Sequence, residues 1–332
     1  MDSSSRYDPA RPLLRLGAAL RDAAWVEAHL EPLFPRQYQQ HSWFTPAFCQ
    51  LAVKTLGEWL QENNLRRLTD WLGTDRPAQR IALIPDGKTP LSGFRELIFI
   101  LAYGHNAVVR TVPHDLLLPV LVKEWGELDA TIGERINLNG KLSAFDAVVA
   151  DLPAENAETL QRYFASFPHC LRSSCCQATL LDGEETEEEL RNLAHDIYHY
   201  FGRSPRATRK LYVPEGYDFV PLLRILQEES RPIADHNQFL NHLDYQKSIR
   251  LMSNQYYMDS GTFLLVESAD TNPPVAVIHY IYYPHNGEKP ATGCHDGENV
   301  RSRREGTPFG QAHSAFIDKS RDTELLHFLG NL

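Results

Sequence analysis

Apolar positions in the first sixty residues recur every three or four places. Residues 12–34 are rich in Leu and Ala, and Thr45-Pro46 reads as an N-cap and first-turn proline before one apolar face of Phe48, Leu51, Ala52, Leu56, Trp59 and Leu60. The first quarter, residues 1–79, is therefore predicted to be helical. From Arg80 the period changes. Short apolar runs at Ile81–Ile84, Ala107–Val109, Asp146–Val149 and Ala178–Leu181 alternate with helical stretches near 94–103, 115–125, 155–165 and 186–201. Such alternation predicts an α/β domain with a mainly parallel sheet over residues 80–204. A second cycle has a strand at Lys210–Val213, helices at 218–229 and 237–252, and β-rich Phe263–Glu267 and Val275–Tyr283. It predicts a second α/β domain over 205–290. Residues 291–332 read as the end of a weakly folded polar loop (286–307) and a segment that returns to another domain or to a neighbouring subunit.

Composition adds exclusions. Apolar residues make up 42% and charged residues 23%, ordinary globular values. A formal charge of -10, with no Lys/Arg-rich face, argues against nucleic acid as a partner. No apolar stretch is long enough for a membrane span and the polar start lacks a signal-peptide core, so a cytoplasmic protein is expected. Adjacent Cys175 and Cys176 suit neither an ordinary disulfide nor a zinc-binding pair.

Four local patterns invite a chemical reading, and each has a plainer one. Asp86-Gly87-Lys88-Thr89 follows a strand as a P-loop ending would, but Ala82 stands where the first glycine is needed and Pro90 removes an N–H where the helix should be running. His195 and His199 have metal-ligand spacing on a helix, yet no third ligand is evident, so a surface or interdomain pair is favoured. The acidic run Asp182–Glu189 is a helix start, with Thr186 and Glu189 at capping-box spacing. The aromatic groups Tyr198, Tyr200, Phe201 and Tyr280, Tyr282, Tyr283 are core or interface material. A Gly-x-Ser-x-Gly nucleophile turn is absent.

Five stretches in order are more specific: His41-Ser-Trp-Phe-Thr-Pro46, Gly87-Lys-Thr-Pro-Leu-Ser-Gly-Phe94, Asp182-Gly183-Glu-Glu-Thr186 with its helix to Gly202, Lys210-Leu-Tyr-Val-Pro-Glu-Gly-Tyr-Asp-Phe219, and Thr307-Pro-Phe-Gly-Gln-Ala312. Together they resemble the LuxC-type fatty acyl-CoA reductases, in the form common in Bacteroidota, over nearly the full length. The resemblance implies an aldehyde-dehydrogenase-like fold: a helical N-terminal region, a parallel-sheet, Rossmann-like cofactor-type domain and a second, catalytic-type α/β domain. It also implies reduction of an acyl thioester to a fatty aldehyde with NADPH, through a cysteine thiolate that becomes acylated.

The residues that would do this differ. By the resemblance, the nucleophile position is Pro205, and the asparagine that steadies the oxyanion is replaced by Lys88. Ser204, one place away, and Cys170, Cys175 and Cys176 are the candidates for a displaced nucleophile. On the cofactor side Gly87, Arg110 and Gly183 remain as candidate contacts, while Val112-Pro113 and Asp151-Leu152-Pro153 replace the family's hydroxyl residues and Thr-Gly-Ser turn. An added carboxylate at Asp151 is expected to repel a pyrophosphate. The expectation is a non-catalytic relative with no cofactor, acting as a structural, regulatory or ligand-binding protein that takes an acyl thioester, a protein partner or its own copies. NADPH enters only if the family activity survives. The alternatives are an active NADPH-dependent reductase with a displaced nucleophile, and an anion-binding module using Lys88, Arg110 and Arg206.

Overall fold

A computed structural model describes residues 10–69, 77–138, 142, 144–152, 157–173, 176–284, 290–295, 298–314 and 319–332. The chain divides into two compact units, residues 1–174 with 322–332, and residues 175–321.

The first unit opens with helices α1 (Ala10–Arg21), α2 (Ala23–His29), α3 (Phe34–Gln40), α4 (Pro46–Trp59) and α5 (Glu62–Thr69). Thr45 caps α4 as its sequence predicts, its hydroxyl accepting from Phe48 N–H at 3.3 Å. Glycine sets the approach of α1 to the end of α4. A side chain at Gly17 would begin 2.2 Å from the Leu60 carbonyl oxygen, and Arg21 caps the last turn of α4 by donating to the Gly57 carbonyl at 2.6 Å.

There follow β1 (Arg80–Ile84), α6 (Phe94–Ala102), β2 (Asn106–Val109), α7 (Leu117–Leu128), β3 (Ile136–Leu138), β4 (Ala147–Leu152), α8 (Ala157–Phe164) and β5 (His169–Ser173). All five strands are parallel, in the order β3-β2-β1-β4-β5. Ile81 to Ile84 and Ala147 to Ala150 are buried without alternation, as strands covered on both faces must be. The order reverses between β1 and β4. In doubly wound sheets that switch point opens the crevice where ligands bind.

The second unit contains β6 (Cys176–Leu180), α9 (Glu187–Tyr198), β7 (Thr208–Pro214), α10 (Val220–Glu229), α11 (Arg231–Ala234), α12 (Asn237–Met252), β8 (Met258–Asp259), β9 (Leu264–Glu267), β10 (Val277–Tyr283), β11 (Gly293–His295) and β12 (Glu298–Ser302). Its sheet runs β11-β12-β6-β7-β10-β9-β8, parallel inside and antiparallel at both edges. The last helix, α13 (Lys319–Asn331), contributes Asp322–Leu332 to the first unit.

Two expectations need correction. The Ala178–Leu181 run does not extend the first sheet: β6 pairs with β7 and β12, and the units part near residue 174 rather than 204. Alternating texture reports strands and helices but not which sheet a strand joins. The 286–307 stretch also contains strands β11 and β12. Strand β12 was hidden because its buried residues are mostly polar and satisfied by partners far away in sequence: Glu298 by Lys210 (2.6 Å), Asn299 by Gln177 (2.8 Å) and Arg301 by Asp196 (2.6 Å). Among the described residues no helix is long and apolar enough to cross a membrane.

Candidate active site

At the C-terminal rim of the first sheet, the turn after β1 closes on itself. Asp86 accepts from Ser92 Oγ (2.6 Å) and Lys88 N–H (3.1 Å), while Gly87 N–H donates to Ser92 Oγ (3.2 Å). The left-handed Gly87 lies under Val112, where an added Cβ would stand 2.8 Å from a Val112 methyl. Asp115, on the turn after β2, accepts from Leu91 N–H (3.0 Å) and caps α7 through Leu117 and Leu118, and burial pushes its carboxyl upward against those three bonds. These donors are committed within the protein, and Val112 covers the glycine, so the first turn does not fit a dinucleotide's pyrophosphate. Arg110, directly after β2, is exposed. Residues 153–156 lie outside the described residues.

Asp151 has close partners. Arg172 on the neighbouring strand sits 2.9 Å from its carboxylate and 2.5 Å from Glu96. Arg95 pairs with fully buried Asp322 of α13, 4.0 Å from Arg172. Asp151 is thus ion-paired within a network of two arginines and three carboxylates rather than standing as a lone charge. Cys170 lies on β5 of the same sheet, buried, its thiol pushed up to about 12 first of all by that burial. It is held as the unreactive thiol. Cys175 is outside the described residues, and Cys176 begins β6.

In the second unit, Thr186 and Glu189 form the predicted capping box of α9, and Gly183 turns left-handed (φ 84°) in the acidic loop before it. Gly183 therefore belongs to a different sheet from Gly87 and Arg110. After α9 the backbone is left-handed at Tyr200, Phe201 and Gly202 (φ 54°, 59° and 65°). Two of these are not glycine, and packing holds them: Phe201 is buried against His236 and Phe239, with ring centroids 4.4 and 5.6 Å away. The chain then turns through Arg203-Ser204-Pro205-Arg206-Ala207 into β7. Ser204 Oγ is buried and accepts from Arg206 N–H (3.2 Å), and the Ser204 carbonyl accepts from Ala207 N–H (3.0 Å). Among the described residues no histidine or carboxylate hydrogen-bonds this hydroxyl.

Sequence reasoning missed Asp196 as an organiser. Fully buried on α9, it accepts from Arg301 (2.6 Å), Gly310 N–H (2.7 Å) and Ala312 N–H (3.0 Å), fixing the Thr307–Ala312 motif to the helix. Its acidic side chain at a buried helix position was the one available signal. His195 and His199 are stacked 5.4 Å apart, and a third imidazole, His313, lies 5.6 Å beyond His199. His195 pairs with Glu229 (3.1 Å), and among the described residues no group of His, Cys, Asp or Glu is arranged to hold a metal. Burial, then the neighbouring His195, lowers His199 to about 4, and His313 falls well below the usual histidine range, chiefly through burial.

No protein-family model matches the chain, and no curated protein matches it by sequence. Solved structures do match. An oxidoreductase from Marinobacter aquaeolei is similar at 11% identity with a TM-score of 0.61, over 83% of this chain and 68% of that one. An aldehyde dehydrogenase variant from Pseudomonas syringae, in complex with NAD+ and octanal, is similar at 12% identity and TM-score 0.56, over 83% and 67%. A P. syringae indole-3-acetaldehyde dehydrogenase variant with NAD+ and IAA gives 14% and 0.56, over 84% and 68%. The fold is aldehyde-dehydrogenase-like. At such identities the likeness establishes architecture, and the chemistry of an aldehyde-dehydrogenase-like protein must come from its own side chains.

Proposed function

We propose that the chain has kept the aldehyde-dehydrogenase-like fold and lost thioester reduction, and that it acts as a structural, regulatory or ligand-binding relative of the LuxC-type acyl-CoA reductases. The observation that carries this reading is the turn before β7. Pro205 stands at the position that the resemblance assigns to the nucleophile, and proline has neither a nucleophilic atom nor an N–H for an oxyanion. Ser204 beside it is tied into the turn without a base. Cys170 is a buried neutral thiol.

The first βα turn supports the same view, because its N–H groups serve Asp86, Ser92 and Asp115. We assign no step to a nicotinamide cofactor. Exposed Arg110 at the end of β2 favours retained recognition of an anion, such as the phosphates of an acyl-CoA. The reading is tested by intact-mass analysis after incubation with a long-chain acyl-CoA, with and without NADPH. Unchanged protein mass is expected. A stable acyl adduct, mapped to the 203–207 peptide or to a cysteine, would refute it.

A further inference from the structure

At one edge of the second sheet, the antiparallel pair β11–β12 and the bend after it enclose a cavity of about 160 Å³. Two glycines keep it open. Gly293 on β11 and Gly306 in the bend are left-handed (φ 107° and 89°), and a Cβ at Gly306 would stand 3.0 Å from the Arg301 Cβ. The rest of the wall is largely polar: Asn299 and Arg301, each only 4% exposed, with Thr292 and Thr307. A void with polar walls does not stay dry, and this one is large enough for several waters or one small organic molecule.

The polar groups of that wall are incompletely engaged. Asn299 donates through Nδ2 to Gln177 Oε1 (2.8 Å), and among the described residues its amide oxygen accepts no hydrogen bond. The Thr307 hydroxyl likewise has no partner among the described residues, while the Thr292 hydroxyl donates to Glu305. Arg301 is divided. Its Nη2 is held by Asp196 (2.6 Å) and Thr208 Oγ1 (2.8 Å), whereas Nη1 reaches the Thr307 and Pro308 carbonyls only at 3.5 and 3.4 Å, long for such bonds. An occupant that suits these groups has an acceptor for Arg301 and Thr307 and a donor for Asn299. It needs no charge. Asp196 already neutralises the guanidinium, and a second buried anion there would have no cation of its own. A carboxamide carries a carbonyl oxygen and an N–H side by side on a neutral frame.

We propose that this cavity binds a small neutral carboxamide, its carbonyl oxygen accepting from Arg301 Nη1 and the Thr307 hydroxyl and its N–H donating to Asn299. The site is independent of the catalytic reading, yet Arg301 ties it to Thr208 at the start of β7 and, through Asp196, to Gly310 and Ala312. Ligand-observed NMR of the full chain with propionamide, and with propionate as its anionic isostere, tests it. Saturable propionamide binding with a Kd near about 1 mM is expected, in keeping with so few atoms, and propionate should bind at least about tenfold more weakly. Thr307→Val, which removes one hydroxyl at constant shape, should weaken propionamide about three- to tenfold, and Thr292→Leu, which adds bulk to the wall, by about tenfold or more. Unchanged melting curves will show that both variants are folded. No saturation by about 50 mM would leave the cavity to water and overturn the proposal. Tighter binding of propionate would overturn it in favour of an anion site, and propionamide binding indifferent to both substitutions would place the ligand elsewhere and overturn it as well.

Discussion

Pro205→Cys would supply a thiol and little else. The amide donor that the resemblance places in the first βα turn is Lys88 here, and loss of one oxyanion donor alone costs about a hundred- to a thousand-fold. Acylation by acyl-CoA, followed by mass, should therefore be slow in Pro205→Cys and faster in Pro205→Cys with Lys88→Asn. Neither variant should turn over to aldehyde. Equal, rapid acylation by both would show that Lys88 serves as the donor. The roles proposed for positions 205 and 88 rest on the resemblance, whose motifs lie on either side of both. The sequence does not show the pairing of Asp151, since Arg172 stands on the adjacent strand, where only strand pairing reveals it. The sequence leaves Ser204 open for a similar reason: whether a hydroxyl reacts depends on partners that spacing does not disclose.

Local rules made the helices readable. Thr45 and Thr186 announce α4 and α9 through capping chemistry within four residues, and both caps are present. Thr186→Ala should cost about 1 kcal/mol, measured by urea denaturation. His195 on α9 and His199 just past its end are interpretable only with His313, which follows the second sheet in the chain. His199 titrates near 4 in the folded protein against an ordinary 6.5, so the unfolded chain binds more protons between those values. Stability contributed by neutral His199 is complete above about pH 6.5 and is lost as pH falls toward about 4, on the order of 3 kcal/mol. His199→Gln should flatten that acid limb in denaturation curves taken at several pH values. A limb of unchanged slope would count against the cluster.

At the scale of the whole molecule, the expectation that the C-terminus crosses to another domain or subunit meets a covalent return. The chain leaves the first unit at Ser174 and comes back at Asp322, where Leu325, Leu326 and Leu329 are buried and His105 Nε2 meets the Leu329 carbonyl at 3.1 Å. Asp322 is the polar key to that return. Asp322→Ala strands buried Arg95 without its carboxylate and should cost about 3–5 kcal/mol, read as a lowered unfolding midpoint. A midpoint unchanged by this substitution would mean that α13 does not hold the first unit together. The partners of this return, unlike the return itself, were not legible from the sequence, because they lie more than two hundred residues apart.

The proposed persistence of this architecture without thioester reduction is open to a direct test. The most direct measurement is trapped aldehyde formed from a long-chain acyl-CoA and NADPH by the wild-type protein at micromolar concentration. No aldehyde above the enzyme-free control is expected; formation near about one per second, an ordinary enzymatic rate, would overturn the proposed loss of reduction.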